Sequence, residues 1–240
     1  MKYYSIESSL NKKIMGKIPQ AKGFVHHCNV WEDPNFIDKF IFEKIEIQPV
    51  LSNVVLHSKA KRTDLIDTFG DVGFNFSYLI SNKLKEILEK FNIFGFQFFK
   101  TYVIQENEKL SNYWVINIFD FAFNYIDFAK TTFFIKNGLS RDITDEINIS
   151  DLDHFLTKIN VLKYPETIAI SNIFFNEKMK LDLFSIRFHE NGGQKGIISE
   201  RLKNEIEKEG ITGIEFKPIE LSIYEWLMPG GEREKVYGKA

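Results

Sequence analysis

The spacing of apolar and polar positions is clearest in two stretches that share one phrase. Residues 81–98 read SNKLKEILEKFNIFGFQF, and residues 199–216 read SERLKNEIEKEGITGIEF. Aligned without a gap, Ile80/Ile198, Ser81/Ser199, Leu84/Leu202, Lys85/Lys203, Glu89/Glu207, Lys90/Lys208, Ile93/Ile211, Gly95/Gly213 and Phe98/Phe216 are identical pairs. Average residue usage gives roughly one or two such matches over this length. The offset of 118 residues therefore reads as an internal repeat. In the first copy Leu84, Ile87, Leu88 and Phe91 recur at helical spacing and form one apolar face. In the second, Leu202 and Ile206 keep part of that face and Glu205 stands at the Ile87 position. Ser81 and Ser199 precede the faces as N-caps, because a serine oxygen accepts from the unpaired amides of a first turn. Lys90 and Lys208 fall in the last turn, where a cation favours the negative helix end. Asn92 and Gly210 follow, the residue types best able to take a left-handed C′ conformation. IFGFQF and ITGIEF then read as short strands with a shared central glycine. Glycine weakens a strand unless a close approach requires the missing side chain. Gly95 and Gly213 are therefore expected to hold equivalent structural places, each against its preceding helix.

Elsewhere the pattern is mostly that of strands. VLSNVVLHSK (50–59) leads towards the first helix, and LDLFSIRFHENGGQKGII (181–198) leads into the second. Asn191, Gly192 and Gly193 read as a hairpin turn. YWVINIFDFAF (113–123) places Phe119, Phe121 and Phe123 on one strand face. Ser150 is expected to cap a helix over SDLDHFLTKI, with Leu152, Phe155, Leu156 and Ile159 inward and Pro165 ending it. The polar run from Pro229, PGGEREKVYGKA, reads as a frayed tail. No Gly-, Ser- or Pro-rich linker divides the chain. The predicted fold is α+β, with two related halves, 1–110 and 111–240. Each half has β-rich sequence leading into a capped helix and a returning strand, and the halves pack as one globular body.

Composition narrows the classes. A chain of 240 residues buries roughly 70–75% of its unfolded surface on folding, so it needs no staple. It has one cysteine, Cys28, so no intramolecular disulfide forms. The start, MKYYSIESSLNKK, lacks the apolar core of a signal peptide, and a cytoplasmic location is expected. Residues 115–135 are the most apolar stretch, but Asp120, Asn124, Asp127 and Lys130 make it a poor membrane span. With 31 basic and 33 acidic residues the net charge is −2, which gives no pull towards nucleic acid or an anionic membrane.

The chemistry-bearing clusters are weak. His26, His27 and Cys28 form a metal-like trio, yet adjacent strand residues point to opposite faces, and further ligands such as His57 or His189 would have to come from elsewhere. Asp151, Asp153 and His154 resemble an acid–base cluster, but acidic residues are ordinary in a helix first turn. Gly193-Gln194-Lys195-Gly196 has the GxxG form of a backbone clamp without the basic surplus such modules carry. There is no Walker loop, dinucleotide fingerprint, nucleophile elbow or HExxH. No catalytic residue, metal site or cofactor is expected.

The segment LFSIRFHENGGQKGIISERLKNEIEKEGITGIEFKPIE (183–220) resembles the C-terminal signature of a large family of bacterial immunity proteins from polymorphic toxin systems. In that family a Phe-bearing strand leads to a Ser-x-x-Leu-Lys helix and then to a Thr-Gly-apolar-x-Phe strand. Residues 58–99 are similar to the family's upstream repeat. Residues 113–130 are similar to its central segment, which ends in an Ile-Asp or Val-Asp pair followed by a basic residue and serine; Thr131 takes the serine position here. The resemblance implies a cytoplasmic antidote that binds a cognate protein toxin, and it implies no catalytic residue; with the charge balance and the interrupted apolar stretch above, no nucleic acid, membrane or cofactor partner is expected. It brings no family-wide set of contact residues. The polar segments Asp64–Asp71 and Glu190–Lys195 are the expected contact regions, with Asp64, Asp67, Asp71, Glu190, Asn191 and Lys195 as candidates. Two alternatives remain at this stage. One is an enzyme, acting on a small molecule or reversing a toxin's modification, that uses His26, His27, Asp151, Asp153 and His154. The other is an adaptor whose 119–123 strand pairs with another protein.

Overall fold

The computed structural model describes residues 2–68, 78–137, 143–189 and 193–239. In chain order its elements are β1 (Tyr3–Ser8), α1 (Lys12–Met15), β2 (Ala21–Val25), β3 (Asn53–Leu56), β4 (Leu65–Ile66), β5 (Tyr78–Ser81), α2 (Asn82–Leu88), β6 (Phe96–Gln105) and β7 (Glu108–Ile118). There follow β8 (Thr132–Asn137), β9 (Ile143–Ile147), α3 (Leu152–Val161), β10 (Glu166–Ser171), β11 (Leu183–His189), β12 (Gly193–Ser199), α4 (Glu200–Lys208), β13 (Ile214–Pro218), α5 (Ile223–Leu227) and α6 (Glu232–Tyr237). The fold is α+β. The strands form two separate sheets, ordered β2-β3-β6-β7-β5-β4 and β13-β1-β12-β11-β10-β8-β9. Among the described residues, no helix is long and apolar enough to cross a membrane.

Four neighbouring strands in each sheet follow one plan, β4-β5-β7-β6 in the first and β11-β12-β1-β13 in the second. The 118-residue offset carries into their register. Leu65 pairs with Ile80 as Leu183 pairs with Ile198. Ser81 faces Tyr113 as Ser199 faces Tyr3. Phe96 faces Ile118 as Ile214 faces Ser8. The central strand comes from a different place in each: β7 directly follows β6, whereas β1 comes from the opposite end of the chain. A division at 110/111 thus falls inside β7, and the halves interleave along the chain.

α2 and α4 sit between the sheets. The Ser81 and Ser199 hydroxyls accept from the Leu84 and Leu202 amides at 3.1 and 3.2 Å. Leu84, Ile87, Leu88, Leu202 and Ile206 are buried in one cluster with strand residues of both sheets. Each such side chain contributes about 1.5–3 kcal/mol when removed from water. One lysine of each helix lies over two rings. Lys85 Nζ is 4.4 Å from the centre of Trp114 and 5.4 Å from that of Phe98. Lys203 Nζ stands 5.3 Å from Tyr4 and 5.7 Å from Phe216. Separate cores cover the outer faces: Phe155 of α3 packs on the second sheet, and Phe36, Ile37 and Ile45 pack on the first.

Several sequence expectations need correction. Gly95 and Gly213 precede β6 and β13 rather than sitting within them, both in the left-handed region with φ of +80° and +89°. A Cβ at Gly95 would collide with the Asp120 carbonyl, and one at Gly213 with the Leu65 carbonyl, so the close approach is to a neighbouring chain segment and not to the preceding helix. Asn92 has no positive φ; its backbone is held by Asp182 instead. Phe119, Phe121 and Phe123 do not share a strand face. β7 ends at Ile118 and Phe123–Tyr125 is a single 3₁₀ turn, the Phe121 and Phe123 rings packing 5.7 Å apart. The cap of α3 is Asp151 rather than Ser150, and Leu156 faces solvent. The C-terminal run is not frayed: α5 and α6 pack against the edge of the second sheet, with Trp226 and Arg233 buried.

Candidate interaction surface

Two aspartates at the same 118-residue offset join the halves. The Asp182 main-chain carbonyl accepts from the Ser199 amide at 2.9 Å, and its Oδ1 accepts from the Ser199 hydroxyl at 2.6 Å. Its Oδ2 accepts from the Asn92 amide at 3.1 Å, in the loop after the other unit's helix. Asp64 repeats the arrangement. Its carbonyl accepts from the Ser81 amide at 2.7 Å, Oδ1 from the Ser81 hydroxyl at 2.6 Å, and Oδ2 from the Thr212 amide and hydroxyl at 2.8 and 2.9 Å. Each aspartate thus ties its own helix cap to the loop beyond the opposite helix. Asp182 is the more buried and also binds Arg201 through Nε at 3.1 Å and through Nη2. Burial alone would raise its pKa; the hydrogen bonds from Arg201, Ser199 and Asn92 outweigh burial and hold the carboxyl below its usual range. Tyr78 and Gly196, another matching pair, meet where the Gly196 amide donates to the Tyr78 hydroxyl at 3.0 Å. Burial pushes that hydroxyl up to about 12.

The expected contact residues lie on and beside the matching hairpin arms. Asp64 is half-buried, with its carboxylate filled by the bonds above. Asp67 is half-buried; its amide donates to Gln20 Oε1 at 2.9 Å and its carbonyl accepts from the Ala21 amide at 3.3 Å. Lys195, on β12, pairs with both carboxylate oxygens of Glu7 on β1 at 2.8 and 2.9 Å. Asp71, Glu190 and Asn191 lie outside the described residues. The arms that flank 190–192 pair antiparallel, with His189 opposite Gly193, as a hairpin requires. His189 is buried, and burial with the nearby charges of Lys217 and Lys195 pushes its pKa down to about 3.

Beside His189 lies a cavity of about 150 Å³ bounded by Ser171, Asn172, Glu220, Ser222 and Glu225. It marks where β11 meets the C-terminal helices. Ser222 and Glu225 form a capping box that starts α5, the serine hydroxyl accepting from the Glu225 amide and the Glu225 carboxylate from the Ser222 amide. Trp226 turns inward, whereas Tyr224, Leu227 and Met228 are 82, 47 and 53% exposed. Arg233 of α6 reaches back into the sheet and holds Glu215 of β13 through two 2.7 Å bonds, both side chains buried. Tyr237 accepts from the Phe216 amide at 2.9 Å and so covers the edge of β13. Sequence reasoning missed this segment. Its one local signal is Ser222 followed three residues later by Glu225, ahead of Trp226 and Leu227.

The residues considered for catalysis are exposed and stay apart. His26 pairs with Ser52 at 2.7 Å and His27 with Asn53, over the first sheet. Asp151 and His154 meet at a helix cap over the second, the Asp151 carboxylate accepting from the His154 amide at 2.8 Å while the exposed Ser150 hydroxyl lies between the Asp151 carboxylate and the His154 ring, at 2.6 and 3.3 Å. Asp153 is exposed in the first turn of the same helix. Among the described residues no group of three His, Cys, Asp or Glu side chains is placed to hold a metal ion.

No curated protein matches the chain. The sequence model of the immunity protein family Imm11 matches residues 2–221, which include both helix–strand units, the paired aspartates and the strand that closes the second sheet. With so much of its length matched, the chain belongs to the immunity protein family Imm11.

Proposed function

We propose that this protein is a cytoplasmic antidote that binds a cognate protein toxin and neutralises it by covering the surface the toxin works with. The observation that carries this reading is the family match over residues 2–221. The residues of the shared signature support it indirectly, because each has a folding role. Ser199 caps, Leu202 packs, Lys203 lies over rings and Gly213 admits a carbonyl. A frame held this way leaves the intervening segments free to differ from one toxin to another. The proposed contact segments are 64–71 and 190–195, with Asp67, Asp71, Glu190, Asn191 and Lys195 facing the toxin and Asp64 fixing the base of the first segment. Function by occlusion requires no catalytic group, cofactor or metal.

Co-expression with the toxic domain encoded by the neighbouring gene tests the reading. The expected result is restored growth and recovery of a complex of the two proteins on purification. Persistent toxicity with no co-purification would overturn it.

A further inference from the structure

The family match ends at residue 221, and the segment that follows exposes Tyr224, Leu227 and Met228 within five residues. We infer that the outer face of α5, formed by Tyr224 and Leu227 with Met228 at its C-cap, is a docking surface for a basic patch of the toxin that presents an apolar side chain at its centre. This rests on the neutralising role proposed above and adds a contact face to it.

Three observations carry the inference. First, Tyr224 and Leu227 stand at i, i+3 on α5 and Met228 is its C-cap; all three are exposed, whereas Trp226 between them is buried. The segment is anchored by Trp226, by the Arg233–Glu215 pair and by the Tyr237 hydroxyl, so the exposed face is rigidly presented. Three large apolar groups exposed on an anchored support, with a polar surround, are the pattern of an interface centre. Second, the surround is acidic. Glu220 and Glu225 are exposed at the start of α5, and Glu225 is held ionised by its bonds to Ser222. The nearby cations are engaged or remote: Lys217 is buried with its ammonium on the Pro218 and Leu221 carbonyls, Arg233 is buried on Glu215, Lys235 pairs with Glu232, and Lys239 lies beyond α6. Such a rim favours a partner whose own rim carries Lys and Arg. Third, the acidic rim of the face reaches β11: Glu220 and Glu225 bound the same 150 Å³ cavity as His189.

The test uses the full chain and the toxic domain encoded by the neighbouring gene, inactivated so that it can be purified. The variants are the triple substitution Tyr224→Ala, Leu227→Ser, Met228→Ser and the single substitution Glu220→Lys. All four positions are outside the core, and melting temperatures should match the wild type. The triple variant is expected to bind on the order of 100-fold more weakly, as loss of three central anchors implies. Glu220→Lys is expected to slow association and flatten its dependence on salt. If wild type binds and the triple variant binds equally well, the docking face is wrong while neutralisation by binding stands. If wild type does not bind the toxic domain, the neutralising role and the docking face both fall. If the triple variant only converts a wild-type dimer to monomer, with toxin affinity unchanged, the face joins two copies of this chain and the inference is overturned.

Discussion

The two helix–strand units share a frame and differ in what covers it. At matching positions 97 and 215 the first carries Gln97 and the second Glu215. Gln97 holds residue 45 by both its ends, accepting from the Ile45 amide at 2.8 Å and donating to the Ile45 carbonyl at 2.9 Å. Glu215 instead accepts from the Ser9 hydroxyl, the Leu10 amide and the Arg233 guanidinium. Two positions further along, buried Phe99 of the first unit corresponds to buried Lys217 of the second. The contrast runs through both halves. The buried polar groups of the first sheet include the neutral side chains of Gln20, Asn53, Gln105 and Asn117, and those of the second include Asp182, His189, Glu215, Lys217 and Arg233. One backbone plan thus tolerates neutral or ionised linings, provided each lining recruits its own cover. The cover is the loop around Ile45 in one case and the C-terminal helices in the other.

Breaking the charged cover gives the largest effect. Arg233→Ala strands Glu215 without its partner in a dry site, and removing one member of a buried pair costs about 3–5 kcal/mol. Gln97→Ala removes only neutral hydrogen bonds and should cost about 1–2 kcal/mol. Urea midpoints of the two variants measure the gap. Equal losses would show that the linings are energetically alike.

The shared frame is tested by its glycines. Gly95→Val and Gly213→Val each place a branched side chain at positive φ against a carbonyl oxygen. Strain and overpacking together cost about 3 kcal/mol. The two melting temperatures should fall by similar amounts. A large drop for one alone would mean that the positions are not equivalent.

The last contrast is in pH. His189 stays neutral in the fold down to about pH 3, whereas in the unfolded chain it takes up a proton below about pH 6.5. Between those limits the unfolded state binds more protons. Stability therefore falls as the pH falls, by up to about 1.4 kcal/mol per pH unit. The neutral amides of the first sheet contribute no such slope. Unfolding midpoints at pH 7 and pH 5 should differ in the wild type, and His189→Gln should reduce the difference. An unchanged difference would place the acid sensitivity elsewhere.

Much of the shared frame could be read along the chain, because its parts are local. Ser81 and Ser199 declare helix starts, the leucines declare a face, and the offset aligns the glycines. What the glycines face could not be read, since Asp120 and Leu65 approach them from other segments. The aspartate pair was hidden for a related reason. Asp64 and Asp182 stand 17 residues ahead of their serines, and the intervening sequence has diverged. Their common role is visible only once both hydroxyls are seen to donate to them. Phe119–Phe123 alternate as a strand would, but the chain leaves the sheet at Ile118 and the rings pack around a turn. In the C-terminal run, Glu232, Arg233 and Glu234 look like surface charge. Nothing local distinguishes the arginine that turns inward to a carboxylate 18 residues upstream. The outer face of α5 was missed with it.

The placement of β1 has a consequence for synthesis. A ribosome releases Tyr3–Ser8 long before both neighbours of that strand, β12 and β13. The first unit can close as soon as β7 follows β6, a hairpin of high local order. The second must keep a gap between two late strands and wait for an early one to fill it. Such long-range closure is slow and leaves strand edges open meanwhile. A bulky fusion ahead of Lys2 would weigh on that step alone, delaying the second sheet while leaving the first to form at its own pace.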